Sequence, residues 1–261
     1  MIKRSPTSIV KAVIFALTLR EMRGRLNARR LGAFWVLFEP IAHVLALVAL
    51  FTIVRGRNIP GFEVPVFLLV GIVPFLMMKN VCLKLMEAVA SNKALFSYRQ
   101  IKPFDAIVAR SLVEISLSAC VYVILMAGIG FFGGFYVGVA HPMEWLGVLV
   151  VALVLSFSIG MILCVVGEAV PELKTFFRLM FLPLYFISGV VYPVWIMPHN
   201  ILSWILWNPF LHIIDSLRWA VFSEYPQTPG INMAYPSAIA LIFLFVAMGV
   251  YRARRLALVA V

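Results

Sequence analysis

The chain has 261 residues, of which 63% are hydrophobic and 13% charged, against roughly 45–50% and 25% in soluble globular proteins. Its apolar residues come in blocks longer than one water-soluble core of this size can hide, which excludes an ordinary soluble domain and makes lipid the solvent. Lys and Arg outnumber Asp and Glu by 22 to 11, a balance that in a membrane chain belongs to basic segments held against anionic headgroups and needs no nucleic acid to explain it.

The first element covers residues 6–30. Lys3 and Arg4 ahead of the apolar stretch from Ile9 to Leu19 have the look of a signal peptide, but no small-residue cleavage site follows and Arg20, Arg23 and Arg25 come next. Arg4, Ser8, Lys11 and Thr18 fall near one helical face and Ile9, Val10, Val13, Ile14, Ala16 and Leu17 around the other, which predicts an amphipathic helix lying in the membrane interface. Crossing the hydrocarbon takes about 20 mostly apolar residues. Six blocks meet that need, at about 33–54, 65–86, 112–135, 145–166, 176–195 and 234–251.

An even number of spans puts both termini on one side, and the basic residues say which. Eight lie before Phe34, six between Lys79 and Arg110, two at Lys174 and Arg178, and three at Arg252, Arg254 and Arg255. The opposite face holds only Arg55, Arg57 and Arg218. Nineteen against three is the positive-inside pattern with cytoplasmic termini. The expected fold is an all-α polytopic membrane protein, residues 1–261 forming one transmembrane domain.

Chemistry of its own is hard to find in the chain. None of the 16 glycines is followed by Lys, so the phosphate-wrapping GxxxxGK loop is missing and any ATP must be bound by another chain. There is no HExxH; His43, His141, His199 and His212 are scattered, and no metal site is expected. His212 and Asp215, three apart, suit structural pairing better than catalysis. Cys82, Cys120 and Cys164 sit singly in spans, as packing residues. Glu114 follows Arg110 by four, a spacing for an ion pair on one helix face. Gly130, Gly134 and Gly138 allow either close helix packing or an outer turn.

Three segments carry more. The entry to the first span reads RGRLNARRLGAFWVLFEP, with Arg23, Arg25, Arg29 and Arg30 ahead of Leu31, Gly32, Trp35, Glu39 and Pro40. Residues 183–198, PLYFISGVVYPVWIMP, and 207–222, WNPFLHIIDSLRWAVF, are too broken by Pro, Gly, Asn and Asp for straight spans, and read as a short fifth span followed by re-entrant or interfacial helices over about 193–233. Two basic loops, Ser91 to Arg110 and Gly167 to Arg178, lie between spans.

Together these resemble the permeases of ABC transporters that export polysaccharides. Ser188, Gly189, Tyr192 and Pro193 match the family's SG-x-x-Y-P, and Asn208, Pro209, Asp215 and Arg218 its N-P pair followed by [ID]-x-x-R; Glu39, Pro40 and His43 are most like the capsular branch. The resemblance implies a transport subunit without enzymatic activity of its own, in the bacterial inner membrane, working as a homodimer with two copies of a cytoplasmic ATPase that hold the ATP and Mg. It implies a lipid-linked polysaccharide as cargo and a periplasmic adaptor and outer-membrane component beyond. It also implies that the two loops carry coupling helices to the ATPase, over Asn92, Leu95, Phe96 and Tyr98 and over Glu168, Pro171, Glu172 and Lys174. Aromatic faces suit sliding contact with sugars, so Phe34, Trp35, Phe38, Phe177, Phe181, Tyr185 and Tyr192 are candidate channel residues. Arg23, Arg25, Arg29 and Arg30 are candidates for an anionic lipid anchor. A permease for another lipid-linked glycan of O-antigen or teichoic acid type, or for a small molecule, is the alternative; a secondary transporter or an intramembrane lipid enzyme is more remote.

Overall fold

A computed structural model describes residues 5–26, 32–55 and 62–259. They form α1 (Pro6–Leu26), α2 (Gly32–Arg55), α3 (Val64–Met86), a 3-10 helix (Ala90–Ser97), α4 (Pro103–Gly133), α5 (Pro142–Ala169), α6 (Leu173–Ile187), a 3-10 turn (Val194–Ile196), α7 (His199–Ile205), α8 (Pro209–Val221) and α9 (Ala234–Arg254). Proline opens α4, α5 and α8, where its missing N–H costs no helix bond. The Asp105 carboxylate accepts the Lys102 N–H at 3.0 Å and helps start α4 nine residues ahead of the apolar block expected there.

Among the described residues four helices are long and apolar enough to cross a membrane: α3, α4, α5 and α9, of 23, 31, 28 and 21 residues. They fall on the second, third, fourth and sixth expected spans. α2 covers the first over 24 residues, with Pro40 inside it. The fifth block, 176–195, is helical only to Ile187. At a rise of about 1.5 Å per residue, the 15 residues of α6 reach ~22 Å, short of the ~30 Å of hydrocarbon. Gly130 lies inside α4, while Gly134 and Gly138 fall in a turn, since α4 stops at Gly133 and Gly134 to Val139 are not helical.

α5 stands at the centre, packed on α3, α6, α8 and α9. α3 is the most enclosed of the long helices, with 17 of its 23 residues buried, among them Phe67, Ile72, Phe75 and Met78. By contrast α6 buries only Phe181, and α9 only Pro236, Ala240 and Ala247. Their outward faces carry Leu179, Leu182, Leu241 and Phe245, each at least 64% exposed. Such a continuous apolar exterior is stable against lipid and not against water.

One buried group holds the broken segment after α6 in place. Gly189, at φ +68°, reverses the chain where a side chain would be strained. The carbonyls of Gly189, Val190 and Tyr192 then point inward and accept from the Arg218 guanidinium, at 2.7, 2.5 and 3.2 Å. Arg218 has no exposed surface and lies 3.7 Å from the centre of the Phe67 ring on α3. A methyl group at Gly71 would overlap both the guanidinium and the Val190 carbonyl, so glycine is what lets α3 come this close. Asn208 completes the joint: its amide donates to Ser188 Oγ at 2.9 Å while its Oδ1 accepts the Phe210 N–H at 3.0 Å and caps α8. Asp215 accepts from the Tyr225 hydroxyl at 2.5 Å, and His212 accepts the Asn232 N–H at 3.0 Å while its other ring nitrogen donates to Leu206 O at 2.8 Å. His212 and Asp215 are thus structural, as their spacing suggested, but each is paired elsewhere and not with the other.

Arg218→Leu leaves three buried carbonyls without their donor and is expected to cost about 3–5 kcal/mol, the scale for removing one partner from a buried charged network. Thermal unfolding of the purified protein in detergent measures it; a midpoint equal to the parent's would show that the turn holds without this contact.

Candidate functional site

The end of the bundle that carries most of the basic residues is tied together by ion pairs across elements. Arg110 on α4 reaches Glu21 on α1 through Nε at 2.9 Å and Nη2 at 2.8 Å. Glu114, which the sequence spacing pairs with Arg110, binds Arg25 instead, and Arg25 also meets Glu21 at 3.4 Å. The correction has a simple cause: α1 lies along α4, and cross-helix partners replace the one on the same helix. Burial works against the Arg25 charge, but Glu114 and Glu21 outweigh it and its pKa goes up. Arg23 ends α1 in solvent beside Arg25 in the last turn. Arg29 and Arg30 lie outside the described residues.

The two basic loops meet here. The 3-10 helix Ala90–Ser97 is bound to α1 by Arg20 Nη1 donating to Asn92 Oδ1 at 2.9 Å, and to α4 by Arg110 Nη1 donating to Ser91 Oγ at 2.9 Å. It is bound to the start of the second loop by Lys93 on Glu168 at 3.3 Å. Glu168 also pairs with Lys174 at 3.0 Å, Lys174 with Glu87 at 3.6 Å, and Glu87 with Arg178 at 2.7 Å. Burial opposes the Lys174 charge, yet Glu168 and Glu87 together raise its pKa. A continuous chain of five charges therefore joins the loops, worth more as a network than its exposed members are singly.

Within these loops the candidate coupling residues divide. Asn92 and Phe96 are buried, Phe96 among Leu85, Val89, Ile107 and Leu258. Leu95 is half-buried, while Tyr98, Pro171 and Glu172 face outward. The buried pair anchors the segment and the exposed three form its outer face. Glu87 and Lys93, which complete the chain of charges, carry no sequence signal of that role; only the fold brings α3, the 3-10 helix, α5 and α6 to one place.

The candidate channel aromatics form two groups. Phe34, Trp35 and Phe38 are exposed on α2; Phe34 stacks on Phe38 and Trp35 meets both edge-on, with ring centres 4.8–5.8 Å apart. On and after α6, Phe181 is buried against Phe210 at 6.5 Å, Tyr185 meets Phe75 edge-on at 5.2 Å, and Tyr192 donates to Phe186 O at 2.6 Å. Phe177 is half-buried beside Phe176 at 6.0 Å. Tyr185 Oη is buried without a partner among the described residues. No ring contact there joins the two groups.

No cluster of three or more His, Cys, Asp or Glu able to hold a metal occurs among the described residues. The free cysteines Cys82 and Cys164 are buried and Cys120 is exposed. What the geometry offers is a membrane bundle with a charged, tied face at one end.

Comparison with known proteins agrees with that description. Polysialic acid transport protein KpsM of Escherichia coli is 35% identical over 251 residues, 96% of each chain. The capsule polysaccharide export inner-membrane protein CtrC of Neisseria meningitidis serogroup A is 25% identical over 223 residues, 84% of this chain and 83% of the relative. The O-antigen export system permease protein RfbA of Myxococcus xanthus is 24% identical over 251 residues, 94% and 93%. The family model described as ABC-2 type transporter matches residues 12–222, from within α1 to the end of α8, and the chain belongs to the ABC-2 type transporter family.

Proposed function

We propose that this chain is the membrane permease subunit of an ATP-driven exporter that moves lipid-anchored capsular polysaccharide from the cytoplasm across the bacterial inner membrane. The observation that carries the cargo is the likeness to KpsM over 96% of both chains at 35% identity, supported by the similarity to CtrC. In this reading α2, α3, α4, α5, α6 with the turn after it, and α9 are the six spans, and both termini are cytoplasmic. α1 lies in the inner interface, and residues 193–233 form the re-entrant periplasmic region. Residues 1–261 act as one permease domain and work as a homodimer, because six spans of one copy enclose too narrow a passage for a sugar chain.

Two copies of a cytoplasmic ATPase hold ATP and Mg and dock on the outer face of the paired loops at Tyr98, Pro171 and Glu172. Closure of the ATPase pulls on that face, and the charges from Lys93 to Arg178 carry the pull into α3, α5 and α6. Through Arg20 and Arg110 it also reaches α1 and α4. Arg23, Arg29 and Arg30 attract the anionic anchor of the cargo, with Arg25 held in reserve by its carboxylates. The sugar chain slides on the rings of α2 and α6 toward a periplasmic adaptor and an outer-membrane component. The likeness to RfbA favours a second reading, a permease of the same kind for an O-antigen type of lipid-linked glycan.

Expression of this chain with its cognate ATPase in a capsule-forming strain that lacks its own permease separates the two. Surface capsule restored at wild-type length supports the capsular cargo; restoration of surface O-antigen in a matching strain, and not of capsule, transfers the reading to that glycan. In the restored strain, Phe181→Leu combined with Tyr185→Leu is expected to lower surface polysaccharide about ten-fold, an activation difference of ~1.4 kcal/mol, at unchanged permease level in the membrane. Export at the parent's rate would remove the aromatic track from the account.

A further inference from the structure

A cavity lies near the charged end of the bundle. It measures about 530 Å³ and opens between α1, α2, α3 and α4, within the size of ordinary ligand pockets. Its apolar wall includes Val44, Val73, Met77 and Val121, and its polar wall includes Arg25, His43, Lys79, Asn80, Lys84 and Glu114. Arg25 and Glu114 neutralise each other across it. Lys79 and Lys84 have no carboxylate within ion-pair distance among the described residues, and Lys79 is half-buried. Two positive charges therefore face a cleft whose deeper wall is hydrocarbon. A half-buried ammonium in such a place needs an anion or an open path to water.

Lys84 is two residues from the end of α3 at Met86, the end that the basic residues assign to the cytoplasm. Lys79 lies five residues deeper, about 7.5 Å along the helix. Asn80, one turn before Lys84, adds an amide N–H donor to the same wall. An anion reaching both lysines thus enters at headgroup level and carries its apolar part inward against Val44, Val73 and Met77. That is the shape of a phosphate on a lipid, and a free ion would leave the apolar wall unoccupied.

We infer that this cleft binds the phosphate headgroup of a membrane-embedded lipid, with Lys79 and Lys84 as the charge partners and Asn80 as a hydrogen-bond donor. Arg25 lines the same cleft but its charge is held by Glu114, so the site rests on Lys79 and Lys84; it does not depend on the identity of the cargo, because any lipid phosphate, whether of a resident phospholipid or of an anchor, has the chemistry it recognises.

The test is lipid retention by the purified full chain in nanodiscs that contain either phosphatidylglycerol or phosphatidylcholine alone, read by native mass spectrometry after detergent extraction. The parent should retain phosphatidylglycerol in preference to phosphatidylcholine. Lys79→Gln with Lys84→Gln should lower that retention on the order of thirty-fold, the scale for losing two cations near an anionic surface, and Lys79→Arg with Lys84→Arg should restore most of it. The arginine pair also serves as the folding control, with thermal stability measured for all three proteins. Equal retention by parent and glutamine variant overturns the inference. Displacement of the bound lipid by inorganic phosphate at millimolar concentration overturns its lipid part, because the site would then be one for a soluble anion. Either failure leaves the export reading untouched, since retention is read without ATP, ATPase or cargo.

Discussion

Arg218 places a fixed positive charge where it has no exposed surface and, among the described residues, no salt bridge, and the backbone around it is arranged to supply acceptors. Three carbonyls freed by the reversal at Gly189 need donors, and the two terminal nitrogens of the guanidinium supply them, while Nε is buried without a partner among the described residues. A lysine could not span them, because its donors do not form a planar fork. The joint depends on three further residues with no freedom of choice: Gly189 for its positive φ, Gly71 for the close approach of α3, and Asn208 for the link from Ser188 to the start of α8. Without this joint the irregular backbone between α6 and α8 would have no place in an apolar core.

The same requirement explains which parts of the fold the sequence reveals. Lengths and apolar blocks suffice for α3, α4, α5 and α9, since each is built on a long hydrophobic run, with the polar residues of α3 and α4 confined to one end. α6 was harder, because its block continues in composition to Trp195 while the helix stops at Ile187 for a reason of conformation at Gly189. Arg218 counts in the sequence as one of three charges on the outer face, yet it contributes no surface charge at all. Its motif spacing marked it as unusual; its burial follows only from bringing α3 and α8 together.

The candidate site was legible as segments and not as contacts. The two loops stand out by their charge and aromatic content, but the chain of pairs through Lys93, Glu168, Lys174, Glu87 and Arg178 joins residues far apart in sequence. The one pair that spacing did suggest, Arg110 with Glu114, gives way to partners on α1. Spacing of four on a helix permits a contact, while a neighbouring helix decides whether it forms. The outcome makes α1 part of the same mechanical unit as the loops: a displacement of the 3-10 helix Ala90–Ser97 must move α1 or break Arg20 from Asn92. A permease driven from outside the membrane requires such stiffness between its docking face and its helices.

The central claim is that a separate ATPase drives this chain through the tied loops. Co-purification from cells that express the chain with its neighbouring genes tests it most directly, followed by measurement of ATP hydrolysis in the purified complex, for the parent and for Glu168→Gln with Lys174→Gln. The account predicts that an ATPase co-purifies with the parent, and that in the variant its hydrolysis is uncoupled or lost by about five-fold or more, within the usual range of coupling between sites. A stable, membrane-inserted chain that captures no ATPase would contradict it.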